Sequence, residues 1–546
     1  MPSITQALKT ANGMVLHGTN GSSNGVYQVL TSTNLVLPPA QWSVVATNSF
    51  DGLGSFNCTN PFPPASARQF YRLMIPTVVN FNQFNLTGFA AYGGTTGGGT
   101  IAETNSGYRK VYTPLDFVTA VADKTGTIKV IEIMNDLNLG YNEVDTNVQA
   151  FSIFLADMPP QLHPVLLHTG VSIIHIQNKT GLTIFSANGA TIRHAHLNVK
   201  HDTNIIIRNL KFDELWEWDE LTKGHYDKNN WDFITLGDSG QDVNVWVDHC
   251  TFTKAYDGVI DIKKGSYNIT LSWCKYTGDD GYTNTNSWVR QQLNALETNR
   301  PANPMYEFLR VNGFSVDDIF AIIQGHDKTH LIGALDLDPL NAYHTVTLHH
   351  EWFINPGDRL PRLRAGNVHD YNIYVDDTQA LAANRMRGVR LAAMSPANAA
   401  KIDGSTATYD FNNFLNGSIS TENGAVLVEK SVYLDCLYPL RNNQTDPTNP
   451  VYTGKIMALD MIYHMDNTNG TSTDYRGDST NALAPAAIGP NQAPVISFSW
   501  NGFTNLPYSY SMDDPSLLKA IITDPNYGAG AGVLTWAKTN WLKTSY

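Results

Sequence analysis

Charge is scarce in this sequence, and basic charge is scarcer than acidic: 36 lysines and arginines stand against 49 aspartates and glutamates, together 16% of 546 residues. A formal net charge of −13 leaves no broad basic face, which excludes nucleic acid as the expected partner. Long apolar runs are missing too. None approaches the ~20 residues that cross a bilayer as a helix, and the start, MPSITQALKT, lacks the basic and apolar regions of a secretory leader. Either the protein acts inside the cell or a leader has been removed. The four cysteines, Cys58, Cys250, Cys274 and Cys436, lie far apart with no CxxC among them, which speaks against a zinc site.

Core material is plentiful. Hydrophobic residues make up 42% and aromatics 11%, so neither disorder nor a coiled coil is expected, and the many Gly, Asn, Thr and Ser suit turns between short strands. Three segments align without gaps: NIIIRNLKF (204–212), NVWVDHCTF (244–252) and NITLSWCKY (268–276). Each opens on Asn, has aliphatic residues at positions two and four, Leu or Cys at seven and an aromatic at nine. TVTLHHEWF (345–353) and AVLVEKSVY (425–433) keep the apolar positions without the Asn. Period-two alternation reads as strands with one face buried. The 24 residues from Asn244 to Asn268 suit one coil of a solenoid that stacks like residues on like.

The expected fold is therefore all-β, a right-handed parallel β-helix. Asn204, Asn244 and Asn268 should form an amide ladder at a bend. Cys250 and Cys274 should stack as buried free thiols, since neighbours in a ladder seldom offer disulfide geometry. Residues 1–80, with short strands broken by Pro and Gly, read as a small separate β module, and 81–546 as the β-helix domain. WVRQQLNALETNR and NPMYEFLRVNGF have helical spacing, so 278–324 reads as a partly helical insertion.

YDGVIDIKKGS (256–266) sets Asp257 and Asp261 an even number of positions apart, on one face if extended. Two carboxylates aimed the same way call for a hard cation, with calcium the natural candidate; a solvated surface pair is the plainer alternative. Asp232 precedes the 244 strand by about half a coil. Lys263, Lys328 and the arginines of DRLPRLR (358–364) fall in later coils at similar strand edges, where stacking brings them onto one surface. Pro361 interrupts the alternation between Arg359 and the pair Arg362 and Arg364, so Arg359 can be aimed independently.

The ordered motifs WVDHCTF, YDGVIDIKKGSYNITLS, GHDKTHLIG (325–333) and RLPRLRAGNVHDYNIY (359–374) resemble the family one pectate lyases. These are parallel β-helix enzymes that cleave polygalacturonate by β-elimination, and the likeness spans roughly 85–540. It implies that Asp232, Asp257 and Asp261 bind calcium, and that Lys263 and Lys328 meet substrate carboxylates, with Lys328 at the catalytic centre. It makes Arg359 the Brønsted base and Arg364 a second substrate-binding arginine, with Arg362 beside it at a motif position of more structural character. Asp248 and His249 read as scaffold. Polygalacturonate or pectin is then the expected partner, the protein a secreted monomer, and activity is expected to favour alkaline pH, because a guanidinium must lose its proton to act as base.

Departures from the family pattern are Tyr256, where the family has His, and the insertion beside the expected cleft. There Arg290, Arg300 and Arg310 offer either carboxylate contacts or solvated charges, and Trp216, Trp218 and Tyr226 either sugar-stacking rings or loop packing. Competing readings are a polygalacturonase-type hydrolase, for which TGDDG (277–281) supplies paired aspartates, a pectin lyase acting on methyl esters, and a non-catalytic carbohydrate-binding β-helix.

Overall fold

The computed structural model describes residues 3–11, 13–21, 26–37, 42–60, 68–74, 81–154, 170–218, 231–255, 257–324, 328–403, 407–409, 411–480 and 494–546. Tyr226, Tyr256 and the first three residues of the GHDK motif lie outside them. The chain forms two units, Met1–Gln83 and Phe84–Tyr546.

The first unit holds two three-stranded antiparallel sheets, one of Ser3–Thr10, Gly13–Thr19 and Phe56–Asn60, the other of Ser43–Ser49, Val26–Ser32 and Phe70–Met74. Its core is a small aromatic cluster in which Tyr27 sits 4.9 Å from Phe50 and 4.6 Å from Phe56, ring centre to ring centre.

The second unit is a parallel β-helix with three strands per coil. One coil runs Ile234–Leu236, Val243–Asp248, Thr251–Thr253, and the next Ile260–Ile262, Tyr267–Ser272, Lys275–Thr277. They stack in register, Ile234 on Ile260, Val245 on Ile269 and Phe252 on Tyr276. The first strand of each coil belongs to a nine-stranded sheet; the second and third form a continuous larger sheet around a sharp bend.

The repeat explains that bend. Its sixth residue, Asn209, His249, Trp273, His350 or Lys430, has a left-handed backbone, with φ between 45° and 55°. This turns the seventh residue inward, so Leu210, Cys250 and Cys274 are fully buried, and all four cysteines are free thiols. The ninth residues stack as a column: Phe212 on Phe252, Phe252 on Tyr276 and Tyr276 on Phe353, with centroids 5.0, 5.4 and 4.5 Å apart and planes within 11° of parallel. The opening asparagines also take left-handed conformations, φ 65°, 61° and 56°, which Asn tolerates better than most side chains. Their ladder is partial. Asn268 donates to Asn244 Oδ1 at 3.0 Å, but Asn204 instead accepts from the amides of Thr96 and Gly97 at 2.6 and 2.7 Å, pinning a segment that crosses the sheet.

Three loops leave the same corner, after the third strands Lys211–Asp213, Lys275–Thr277 and Tyr374–Asp376 of alternate coils. The insertion forms helices Trp288–Thr298, Pro304–Val311 and Val316–Gln324, with Ser287 capping the first. A further helix, Thr378–Ala392, which the sequence reading does not include, leaves later and joins them through Arg390 and Asp318, 2.9 Å apart. Trp216 and Trp218 from the 214–218 segment are buried in this cluster with Leu293, Phe320 and Phe411. The helices form a satellite core beside the N-terminal ends of the nine-stranded sheet.

Candidate active site

Alternate residues of each nine-stranded-sheet strand point inward, so the residue between two core residues points out. Ile260 and Ile262 are fully buried in the core, which turns Asp261 to the outer face. Asp232 arrives just before the preceding strand, and Asp257 on the loop leading into Asp261's own. Lys328 makes a parallel bridge to Asp358 in the next coil. Leu363 is in the core, so Arg362 and Arg364 both point out, while Arg359, ahead of Pro361, sits at φ 68° and leaves the alternation.

The structure brings the acids and lysines together. Lys263 Nζ lies 3.3 Å from Asp232 and 3.5 Å from Asp261, and Lys328 Nζ 2.8 Å from Asp257. Burial pushes Asp232 above the usual carboxylate range against the pull of Lys263. Burial, and then the charge of Asp232, push Asp261 up to about 7. Asp257 goes the other way: burial opposes its ionisation, but Lys328 and Arg359 outweigh it. One ammonium shared between Asp232 and Asp261 does not offset the burial of two carboxylates.

Among the described residues no three metal-ligating side chains already stand as a metal-holding group, the space being shared with the lysines. The donor set nevertheless fits a hard cation. Gly258 donates its amide to Asp232 Oδ1 at 3.1 Å, and a Cβ there would lie 2.7 Å from Oδ1 of both Asp232 and Asp261. Glycine keeps open the space that two buried carboxylate oxygens border, and carboxylate oxygens are the ligands calcium takes.

Arg359 faces this cluster. Its Nε is buried without a hydrogen-bond partner. Burial pulls its pKa down, but Asp257, Asp261, Asp358 and Asp232 together outweigh it and leave it raised. Arg362 donates to Thr445 Oγ1 at 3.1 Å and also has a buried, unpartnered Nε; burial, then Arg364 and Arg359, lower its pKa to about 10. Arg364 is held by Asp336 at 2.6 Å, by the Gly333 carbonyl at 2.6 Å and more loosely by Glu422 at 3.7 Å.

The insertion's arginines are committed elsewhere. Arg290 pairs with Asp317 at 2.6 Å, Arg300 with Glu307 at 2.7 Å and Arg310 with Glu297 at 2.8 Å, so they brace helices. In TGDDG, Asp279 accepts from the amides of Gly281 and Val289 at 2.9 and 3.2 Å and Asp280 from Asn284, which leaves the pair tied to a turn and a helix start.

Sequence reasoning missed three contributors. Thr235 donates to Asp232 Oδ2 at 2.9 Å and is itself 2.9 Å from His196 Nε2, so a buried chain stands behind that carboxylate. Asp358 accepts from Asn416 and Gln444 and from the Arg359 amide, fixing the start of the arginine segment. Its position directly before Arg359 was the available signal; the other two show only once coils are stacked.

Comparison with known proteins bears on this geometry. A family model described as pectate lyase matches residues 72–287 and 319–473, so the break in the match falls on the first two inserted helices. Pectate lyase B of Paenibacillus amylolyticus is 50% identical over 359 residues, covering 65% of this chain and 87% of that one. A pectate trisaccharide-lyase of Thermotoga maritima is 32% identical over 193 residues, 35% of this chain and 38% of that one. A solved pectate lyase from Paenibacillus sp. 0602 superposes with TM-score 0.76 at 49% identity, covering 85% of this chain and all of the other.

Proposed function

This chain belongs to the pectate lyase family, and from that premise we propose that it cleaves de-esterified polygalacturonate by β-elimination with Arg359 as base. Calcium use is characteristic of the family; here Asp232, Asp257 and Asp261 would hold the ion, and Lys263 and Lys328 would turn from these acids to the carboxylates of the sugar. The observation that carries the reading is a half-buried arginine, with an unpartnered Nε, facing three buried acids and two lysines.

The chemistry follows from charge. Removing the proton beside a uronate carboxylate builds negative charge on that carboxylate, and cations fixed there stabilise the transition state more than the ground state. Calcium held by Asp232, Asp257 and Asp261 would add Lewis-acid stabilisation of that charge. Arg359 takes the proton, the new double bond forms as the glycosidic C–O bond breaks, and solvent protonates the leaving oxygen. Most of the field that keeps Arg359 protonated comes from the same three acids, with Asp358 besides; once the three are neutralised, burial weighs more heavily in lowering its pKa. Activity is expected on the alkaline side, and a kcat/KM profile peaking at acidic pH would overturn the assignment of the base. Of the two strand arginines, Arg362 is the more available, since Arg364 reaches a uronate only by leaving Asp336.

Secretion, a monomeric state and an independently folding N-terminal β module are parts of the same proposal, the first because the substrate is a polymer. The test is absorbance of an unsaturated uronate during incubation with polygalacturonate. A rise with calcium, abolished by chelator and by Arg359→Ala, is expected. New reducing ends without that absorbance would identify a hydrolase instead.

A further inference from the structure

Strand register places a second cationic position beyond the residues assigned so far. Leu331 pairs with Arg362, Arg362 with Ile419 and Ile419 with Arg441, so Arg362 and Arg441 stand in one row, two strands or roughly 10 Å apart. Counting back from the Ile262–Ile332 pair, Asp261 is in the same row, about four strand spacings or 19 Å from Arg441.

Neither arginine has a carboxylate within ion-pair distance among the described residues, although the charge of Asp358 reaches both. Arg441 donates to Asn416 Oδ1 at 3.0 Å and lies 5.4 Å from the centre of the Tyr438 ring, and its Nε is buried and unpartnered, as is that of Arg362. Neither forms an ion pair among the described residues, whereas Arg290, Arg300, Arg310 and Arg364 each reach a carboxylate. That acid, Asp358, is already hydrogen-bonded by Gln444, Asn416 and the Arg359 amide. Burying guanidinium groups without counter-charge is costly, and burial lowers the pKa of both. A strip arranged this way is complete only when an anion from outside lies along it.

We propose that Arg362 and Arg441, flanked by Gln444 and Thr445, form a distal subsite for a uronate carboxylate several sugar units from the bond that breaks. It deepens the pectate lyase reading and rests on it. The occupant is a further unit of the same polyanion, and the consequence is a preference for long chains, because a trisaccharide seated at Asp261 cannot reach Arg441.

The test compares kcat/KM on polygalacturonate with that on trigalacturonate. For Arg441→Gln the ratio of the two is expected to fall about tenfold, the scale of a hydrogen-bonded charge contact, with Arg441→Lys recovering part of it. Thr445→Glu, at an exposed position beside Arg362, supplies a competing carboxylate without disturbing the core and should lower the ratio similarly; it also carries the test if Arg441→Gln fails to fold. An unchanged ratio in folded variants, or equal losses on both substrates, overturns the subsite. Failure of the parent enzyme to release unsaturated product from either substrate refutes the underlying lyase reading instead.

Discussion

Two buried clusters of charge sit on different faces of the same coils, and they differ in how they are finished. At Asp248, Arg208 donates from Nε at 2.8 Å and Ser272 from its hydroxyl at 2.7 Å, and the Arg208 Nη2 and His249 Nδ1 atoms lie within ion-pair distance at 2.6 and 2.9 Å. The remaining side of Arg208 bonds the carbonyls of Trp541 and Lys543 and covers the Trp246 ring at 4.1 Å. At Asp261 the carboxylate is raised to about 7, a glycine holds space open, and the arginine opposite has a free Nε. The first cluster is neutralised by its own partners, as a scaffold is; in the second, under the proposed function, the acids are left for a cation and Arg359 for an anionic sugar. A charge pattern in sequence does not separate these cases, but the balance of charge does: its partners hold Asp248 low, whereas Asp261 is pushed up.

The sharpest way to break the contrast is at the unfinished cluster. Arg359→Ala should cut unsaturated-product formation by about 10³-fold, the range of a lost general base, while the melting temperature stays near that of the parent. A comparable fall in stability would mean that Arg359 belongs with Arg208.

Asp248→Asn should do the reverse, costing about 3 kcal/mol of stability by stranding Arg208, read as the denaturant midpoint. Its pH dependence has a definite sign. Burial opposes ionisation of Asp248, but His249 and Arg208 outweigh it and hold its pKa at about 2, so its contribution is present above the ordinary aspartate pKa. It is lost as pH falls from about 4 through 2, on the order of 2 kcal/mol. The variant should lack that part of the acid transition.

Gly258→Ala tests the open space directly. Calcium affinity, followed by titration calorimetry, should fall about tenfold or more as two carboxylate oxygens are forced apart, with secondary structure unchanged. Unaltered calcium binding would place the ion elsewhere. At the small end, Arg300→Ala on the inserted helices should shift stability by only about 0.5 kcal/mol, as partly exposed pairs do, and leave kcat/KM unchanged; a large activity loss would bring the insertion into the substrate path.

What was legible in the sequence was whatever repeats locally. Asparagine at a left-handed bend, an inward Cys or Leu and a stacked aromatic each serve a need that recurs every coil, so the pattern predicts the strands. The acids, lysines and Arg359 were legible as ordered motifs. The helix Thr378–Ala392 was not, because its apolar residues divide between the insertion cluster, which takes Ala383 and Met386, and a separate patch on Leu415, which takes Ala380 and Leu381. Arg441 was not, because its relation to Arg362 depends on register across a gap of 79 residues, and nothing near Arg441 in sequence marks the row. The commitment of Arg364 to Asp336 and Glu422 was likewise set by loops arriving from other coils.

The in-register stacking also gives the outer face an address system. Each outward side chain is located by its coil and its place along the strand, and one step in coil number moves a charge by about 4.8 Å without changing its orientation. Loops leave at the corners and do not disturb the grid, so a binding surface for a regular polymer can be lengthened, shortened or re-spaced one position at a time while the machinery around Asp261 and Arg359 stays where it is.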